Sequence, residues 1–321
     1  MDTIDPEQKS ERAAGAVLDA PMIQPVGFLL ALSDEWMVER VSTNAGDLLG
    51  CDQAGLVGSL ASAFITDDAI HSLRNRLALL RGPDAVERLF LCPLTQDGRQ
   101  FDIAIHNVDD SVLVEAEPST GKSYGDVTGT LRGMLGRLDD AADFKAFLTA
   151  GARQVRALTG FDRILITRFD RDGSREVVAE CERGGIGSFL GTRISAELMP
   201  ADERARFLRA PLHVIADVDS EPVPIVPRLD TGGEPLDLSR SMLRCASAAR
   251  LEHLRSMGAR ASISVALLVD GDLWGMIECH HHTPRRPTFE RRSMAELFAQ
   301  MFAMRIEIAE LKRGRGGEQR G

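Results

Sequence analysis

Glu278-Cys279-His280-His281-His282 closes a hydrophobic run, and each of the five could hold a proton, attack as a nucleophile or ligate a metal. A thiol beside a carboxylate suggests an activated nucleophile, and a Cys-His-His-His run suggests zinc. Both require side chains that converge. On a strand successive side chains point to opposite faces, so the four cannot gather round one ion and Glu278 diverges from Cys279. The pattern predicts a packed core cysteine and an inward imidazole with solvent-facing neighbours, and no metal site. Gly184-Gly185-Ile186-Gly187 lacks the spacing and the following Lys-Ser/Thr of a phosphate cradle. GxSxG, HExxH and kinase signatures are absent from the sequence. The residue types predict a binding module and not an enzyme; Arg244 and Arg250 read either as solvated or ion-paired arginines or as a pair able to receive an anion.

The elements that must position these residues can be read outward from the same stretch. Residues 261–269 are apolar and β-branched, Asp270-Gly271 suits a tight turn, and 273–281 run back, which predicts two central strands of a sheet. Upstream, 161–169 and 176–181 read as a hairpin through Asp170-Arg171-Asp172-Gly173, after a helix over 139–158 stopped by Gly160. Residues 182–260 are mostly loop and short helix, the kind of excursion that carries function or wraps a ligand. The N-terminal part predicts strands at 27–32 and 36–41, short helices at 44–49 and 69–80, and alternating strands at 87–92, 100–107 and 111–117. A final helix over 289–311 repeats Leu297, Met301, Met304, Ile308 and Leu311 at spacings of four and three, the seam of a homodimer.

Composition bounds the partners. At 321 residues the chain suits about two domains, and 44% hydrophobic with 27% charged residues is ordinary for a globular protein. A net charge of −10 speaks against nucleic acid or an anionic membrane. Five scattered cysteines without CxxC, no apolar run of spanning length and no leader-like N-terminus predict a reduced cytoplasmic protein. The expected division is an arm at 1–20, a first domain at 21–118, a linker at 119–137, a second domain at 138–313 and a basic tail at 314–321.

With these pieces in place, residues 21–313 resemble the paired PAS and GAF domains of bacterial phytochromes, the bilin-binding red-light receptors. The resemblance is carried by Ile23-Gln24-Pro25-Val26-Gly27, Thr159-Gly160-Phe161-Asp162-Arg163, Ile215-Ala216-Asp217-Val218, Pro222-Val223-Pro224, Leu236-Asp237-Leu238-Ser239, His253-Leu254-Arg255-Ser256-Met257-Gly258 and Leu273-Trp274-Gly275 with Cys279-His280-His281, all in the family's order. It implies an α+β fold: a PAS and a GAF domain, each a central antiparallel sheet flanked by helices. It also implies a figure-of-eight knot in which the N-terminal arm threads a lasso at about 219–241. A bilin would lie in the GAF pocket, held by a thioether.

The resemblance also marks departures. Arg12 stands near the arm position where biliverdin-binding members carry the attachment cysteine, and Ala249 where plant and cyanobacterial members carry theirs. Leu198 replaces an aspartate whose carbonyl faces the pyrrole nitrogens, and Arg250 replaces a histidine, placing a cation beside a chromophore meant to be protonated. Thr167, Phe207 and His253 stand where tyrosine is usual, and His213 replaces one of two propionate-clamping arginines. Arg244 keeps the other, Ser247, Ser262 and Ser264 keep hydroxyls, and His280 keeps the ring D imidazole. The expectation is a sensory module that binds biliverdin weakly or not at all; the alternative is a red/far-red photoreceptor that binds biliverdin noncovalently. Output would come from a downstream signalling domain or a separate effector.

Overall fold

The computed structural model describes residues 21–82, 85–121 and 125–318, with side chains through Leu311. Arg12 and the side chains of the 314–321 tail lie outside the described residues. In chain order the elements are β1 (Met22–Ile23), β2 (Phe28–Leu32), β3 (Val38–Ser42), α1 (Ala45–Leu49), α2 (Asp67–Leu77), β4 (Glu87–Pro93), β5 (Gln100–Val108), β6 (Ser111–Pro118), α3 (Val127–Gly136), α4 (Phe144–Thr159), β7 (Arg163–Phe169) and β8 (Arg175–Glu182). They continue with β9 (Arg193–Ile194), α5 (Ala201–Arg209), β10 (Leu212–Ile215), β11 (Val223–Val226), α6 (Ala248–Ser256), β12 (Ala261–Val269), β13 (Asp272–His281) and α7 (Phe289–Glu318). Two compact units result: Met1–Pro118 with Glu221–Cys245, and Ser119–Ser220 with Ala246–Gly321. Both are α+β, each built on an antiparallel sheet with helices.

The first unit has a seven-stranded sheet in the order β1-β11-β3-β2-β6-β5-β4. Alternation on β2 explains its two covered faces. Phe28, Leu30 and Leu32 pack with Ile70, Leu73, Ile103 and Val114 on the side of α1 and α2. Leu29 and Ala31 meet Ile225, Leu236 and Leu243 on the other. Residues 221–245 were expected with the second domain, but their apolar side chains and the β11–β3 pairing put them in this unit.

The second unit has a six-stranded sheet in the order β10-β12-β13-β7-β8-β9. The β12–β13 hairpin turns at Asp270 and Gly271, with φ of 52° and 81°, which is the backbone the Asp-Gly pair predicts. Gly160 ends α4 in the left-handed conformation, and Asp143 starts it by accepting a hydrogen bond from Ala146 N. The stretch expected as linker contains α3, capped by Asp126 and anchored by the buried Leu131 and Met134. β10, unread in the sequence, pairs with β12 at the sheet edge.

Candidate functional site

Strand register gathers the second unit's candidate residues. Ser262 lies opposite His280, and His280 opposite Arg163. Ser264 is flanked by His213 and Glu278, and Met276 lies between Ala266 and Thr167. Cross-strand partners share a face, so His213, Ser262, Ser264, Thr167, Glu278 and His280 stand together on one polar face. The alternate residues Ile263, Ile277, Cys279, Ile164 and Cys181 take the opposite face, where α4 and α7 pack. Both cysteines of this unit therefore point away from the polar face, and burial pushes the Cys279 thiol well above its ordinary range.

At the centre of the polar face is an ion cluster. Glu278 is 1% exposed, and its Oε1 accepts from Arg250 Nη2 at 2.7 Å and from Arg175 Nη2 at 3.3 Å. Arg250 Nη2 also donates to Ser264 Oγ at 3.1 Å. Arg175 starts β8 and Arg250 sits in the first turn of α6, so the cluster ties two strands and a helix. Burial pulls the Glu278 carboxyl up, but the two guanidiniums outweigh it and hold the group well below the usual carboxylate range. An isolated carboxylate here would cost several kcal/mol, on the order expected for an unpaired buried ion.

The cluster does not use all of its hydrogen-bonding capacity. Arg175 Nε and Nη1, Arg250 Nη1 and Glu278 Oε2 are buried without a partner among the described residues, as are Thr167 Oγ1, Ser262 Oγ and both ring nitrogens of His280. Burial pushes His280 down to about 3, so its imidazole is neutral at physiological pH. A cavity of about 210 Å³ reaches this face at His280 and Arg163. Beside the polar residues, Phe207 packs with Met199, Ala266 and Met276.

Other expected residues have different surroundings. Ser247 is the N-cap of α6, its hydroxyl accepting from Arg250 N at 3.3 Å. Leu198 packs against the Leu165, Val177 and Ile194 cluster. His253 is half-buried on α6 and shifted down by burial and the Arg250 charge. His213 is buried on β10. Arg244 belongs to the first unit, where its Nη1 donates to Ser241 O at 2.7 Å. Arg250 is ion-paired, its Nη2 lying 2.7 Å from Glu278 Oε1.

The alternation argument for the histidines holds only while the strand lasts. β13 ends at His281, and both His281 Nδ1, at 3.0 Å, and His282 Nδ1 reach Asp162 Oδ2. The three ligand atoms lie within 4.8 Å of one another. Hydrogen bonds from neighbouring donors surround them: Arg285 Nη1 faces His281 Nε2 at 3.1 Å, and Thr283 N donates to His281 Nδ1 at 3.3 Å. Arg183 Nη1 stands 3.5 Å from Asp162 Oδ1, adding a second cation.

Arg175 carries no sequence motif, and Glu278 stands in the sequence only as the first of a run of titratable residues. A signal was present, since Glu278 interrupts the apolar Gly275-Met276-Ile277 and Cys279 of a central strand and so demands a cation. Its partners lie 28 and 103 positions off in sequence, and the packing of a helix and the register of the sheet bring them in.

Comparison with known proteins follows the same division. The GAF domain model matches residues 143–310, and the PAS fold model matches 16–119. The chain is 34% identical to the chromophore-binding domain of the unusual bacteriophytochrome RpBphP3 from R. palustris, with a TM-score of 0.81, covering 91% of this chain and 96% of that one. It is 31% identical over 311 residues to a bacteriophytochrome of Pseudomonas aeruginosa and 30% identical over 302 to the phytochrome-like protein Cph1 of Synechocystis sp.. In each case it covers 92% of this chain and spans 40% of the relative's length.

Proposed function

The chain belongs to the phytochrome family, and on that premise we propose that it is a sensory module that takes a linear tetrapyrrole into its GAF unit reversibly, without a thioether. The observation that carries this reading is the polar face itself. Thr167, Ser262 and His280 offer buried hydrogen-bonding groups without partners among the described residues, while both cysteines of the unit point to the other face. A buried polar group left unpaired costs about 1–3 kcal/mol, so these groups favour a ligand that can pair with them. Phe207 and Met276 supply apolar contact, and His213, buried on β10 of the same unit, is a group for an acid side chain. When bound, the tetrapyrrole supplies absorption of red light. Cys245 is no substitute anchor, because burial pushes its thiol up to about 11 and leaves little thiolate at neutral pH. Adding biliverdin to the purified protein tests the reading. A saturable red band, with pigment that leaves the chain on denaturation, supports it; a flat spectrum sinks it.

A second reading, a chromophore-free regulatory module, draws on one observation. The Arg175–Glu278–Arg250 cluster spends ionic contacts on its own face, and a ligand there must compete with them. Weak biliverdin binding would follow, and replacing the cluster with apolar residues would strengthen it.

The remaining features extend the module. Along α7, Leu297, Met304, Ile308 and Leu311 are exposed and Met301 is half-buried, which supports a homodimer through this helix; Ile308→Glu should shift the protein toward monomer in sedimentation. The pairing of β1 with β11 and the packing of Leu236 and Leu243 in the first unit support a lasso of the kind a figure-of-eight knot needs. Output passes to a signalling domain or effector. No helix among the described residues is long and apolar enough to cross a membrane.

A further inference from the structure

We infer that the Arg175–Glu278–Arg250 cluster is an anion-receiving subsite, built for the carboxylate or phosphate group of a ligand. The inference goes beyond tetrapyrrole binding, since it concerns an acid group whatever molecule carries it. Two guanidiniums surround one carboxylate, leaving an excess of positive charge and of donors. Arg175 Nε, Arg175 Nη1 and Arg250 Nη1 are all buried and unpaired, against the single free acceptor Glu278 Oε2. Thr167 and Ser262 add hydroxyls that can donate. Among the described residues no acceptor meets these donors, and a planar or tetrahedral oxyanion matches the guanidinium fork. Glu203 on α5 is a further carboxyl that both guanidiniums feel, and burial pushes it up, toward its neutral form.

The charge balance gives the test its sign. Removing a guanidinium must weaken anion binding, and neutralising Glu278 must strengthen it. Thermal unfolding of the ligand-free protein is followed against inorganic phosphate and, separately, succinate, with chloride keeping ionic strength constant. The wild type should show a saturable rise in Tm. Arg250→Lys, which keeps charge but loses the fork, should weaken the apparent affinity by about tenfold, and Arg175→Met should abolish the saturable part. Glu278→Gln, nearly isosteric, should tighten it by about tenfold. Circular dichroism separates these effects from misfolding, and the Lys and Gln variants keep the question open to refutation if Arg175→Met does not fold.

Two sources of the acid group are distinguished in the same assay. Biliverdin and its dimethyl ester, which lacks the free acids, are compared by absorption. Stabilisation by phosphate or succinate assigns the subsite to small free acids. Biliverdin bound at least tenfold more tightly than its ester, with the difference lost in Arg175→Met, assigns it to the tetrapyrrole's own acid. No response to the small anions together with equal binding of biliverdin and ester, or equal responses in wild type and variants, overturns the inference while leaving tetrapyrrole binding itself standing.

Discussion

Two glutamates, one in each unit, are buried to nearly the same degree and held in opposite ways. Glu115 on β6 is 2% exposed, and its oxygens accept from Ser241 Oγ, from Met242 N at 3.0 Å and from Leu243 N at 3.1 Å. All of its direct donors are neutral. Burial therefore prevails, and the Glu115 carboxyl is raised above its ordinary value despite those hydrogen bonds. Glu278 is 1% exposed and meets two guanidiniums, and its carboxyl is lowered. Neutral donors stitch a chain segment in place with little left over. Full charges over-determine the protonation state and leave unused donors, which is the property of a site that receives something.

The largest expected effect comes from removing the carboxylate that separates the two cations. Glu278→Leu leaves both guanidiniums buried without their anion and should cost about 3–5 kcal/mol in urea unfolding. A loss below about 1 kcal/mol would show that the cluster adds little to the second unit's stability. Glu115→Gln turns an acceptor into a donor facing a backbone N–H and should cost about 1–3 kcal/mol.

The pH dependence of these variants should run in opposite directions. Glu278 has a folded-state pKa below its unfolded value, so its contribution is full above about pH 4.3 and is lost as pH falls further. The gap between wild type and Glu278→Gln should therefore narrow in acid. Glu115 has a raised folded-state pKa, so its contribution is full below about pH 4.3 and is lost as pH climbs through that raised value. The gap for Glu115→Gln should widen as pH falls from neutrality. Parallel slopes for the two would erase the contrast between the units. The smallest effects belong to the serines: Ser241→Ala and Ser264→Ala should each cost about 0.5–1.5 kcal/mol, and only the second should alter Arg250.

What the sequence made legible was local. Asp270-Gly271 announced the hairpin, Gly160 the end of α4, and the α7 seam its exposed side chains, because turn chemistry and helical periodicity act over a few residues. Resemblance located the polar face through Ser262, Ser264, Thr167 and His280. What stayed hidden was pairing at a distance. Arg175 and Glu278 are 103 positions apart, and β11 adds to a sheet whose other strands end before residue 119. Alternation misjudged His281, which is buried and converges with the exposed His282 on Asp162, because the rule lapses where the strand does.

The most direct test is spectroscopic. Biliverdin is titrated into the purified protein, the red absorption is recorded, and the complex is then denatured in acid and passed through a desalting column. Reversible occupancy of the GAF unit predicts a saturable red band whose pigment separates completely from the chain. A spectrum identical to free biliverdin at every ratio, or pigment that travels with the denatured chain, would contradict it.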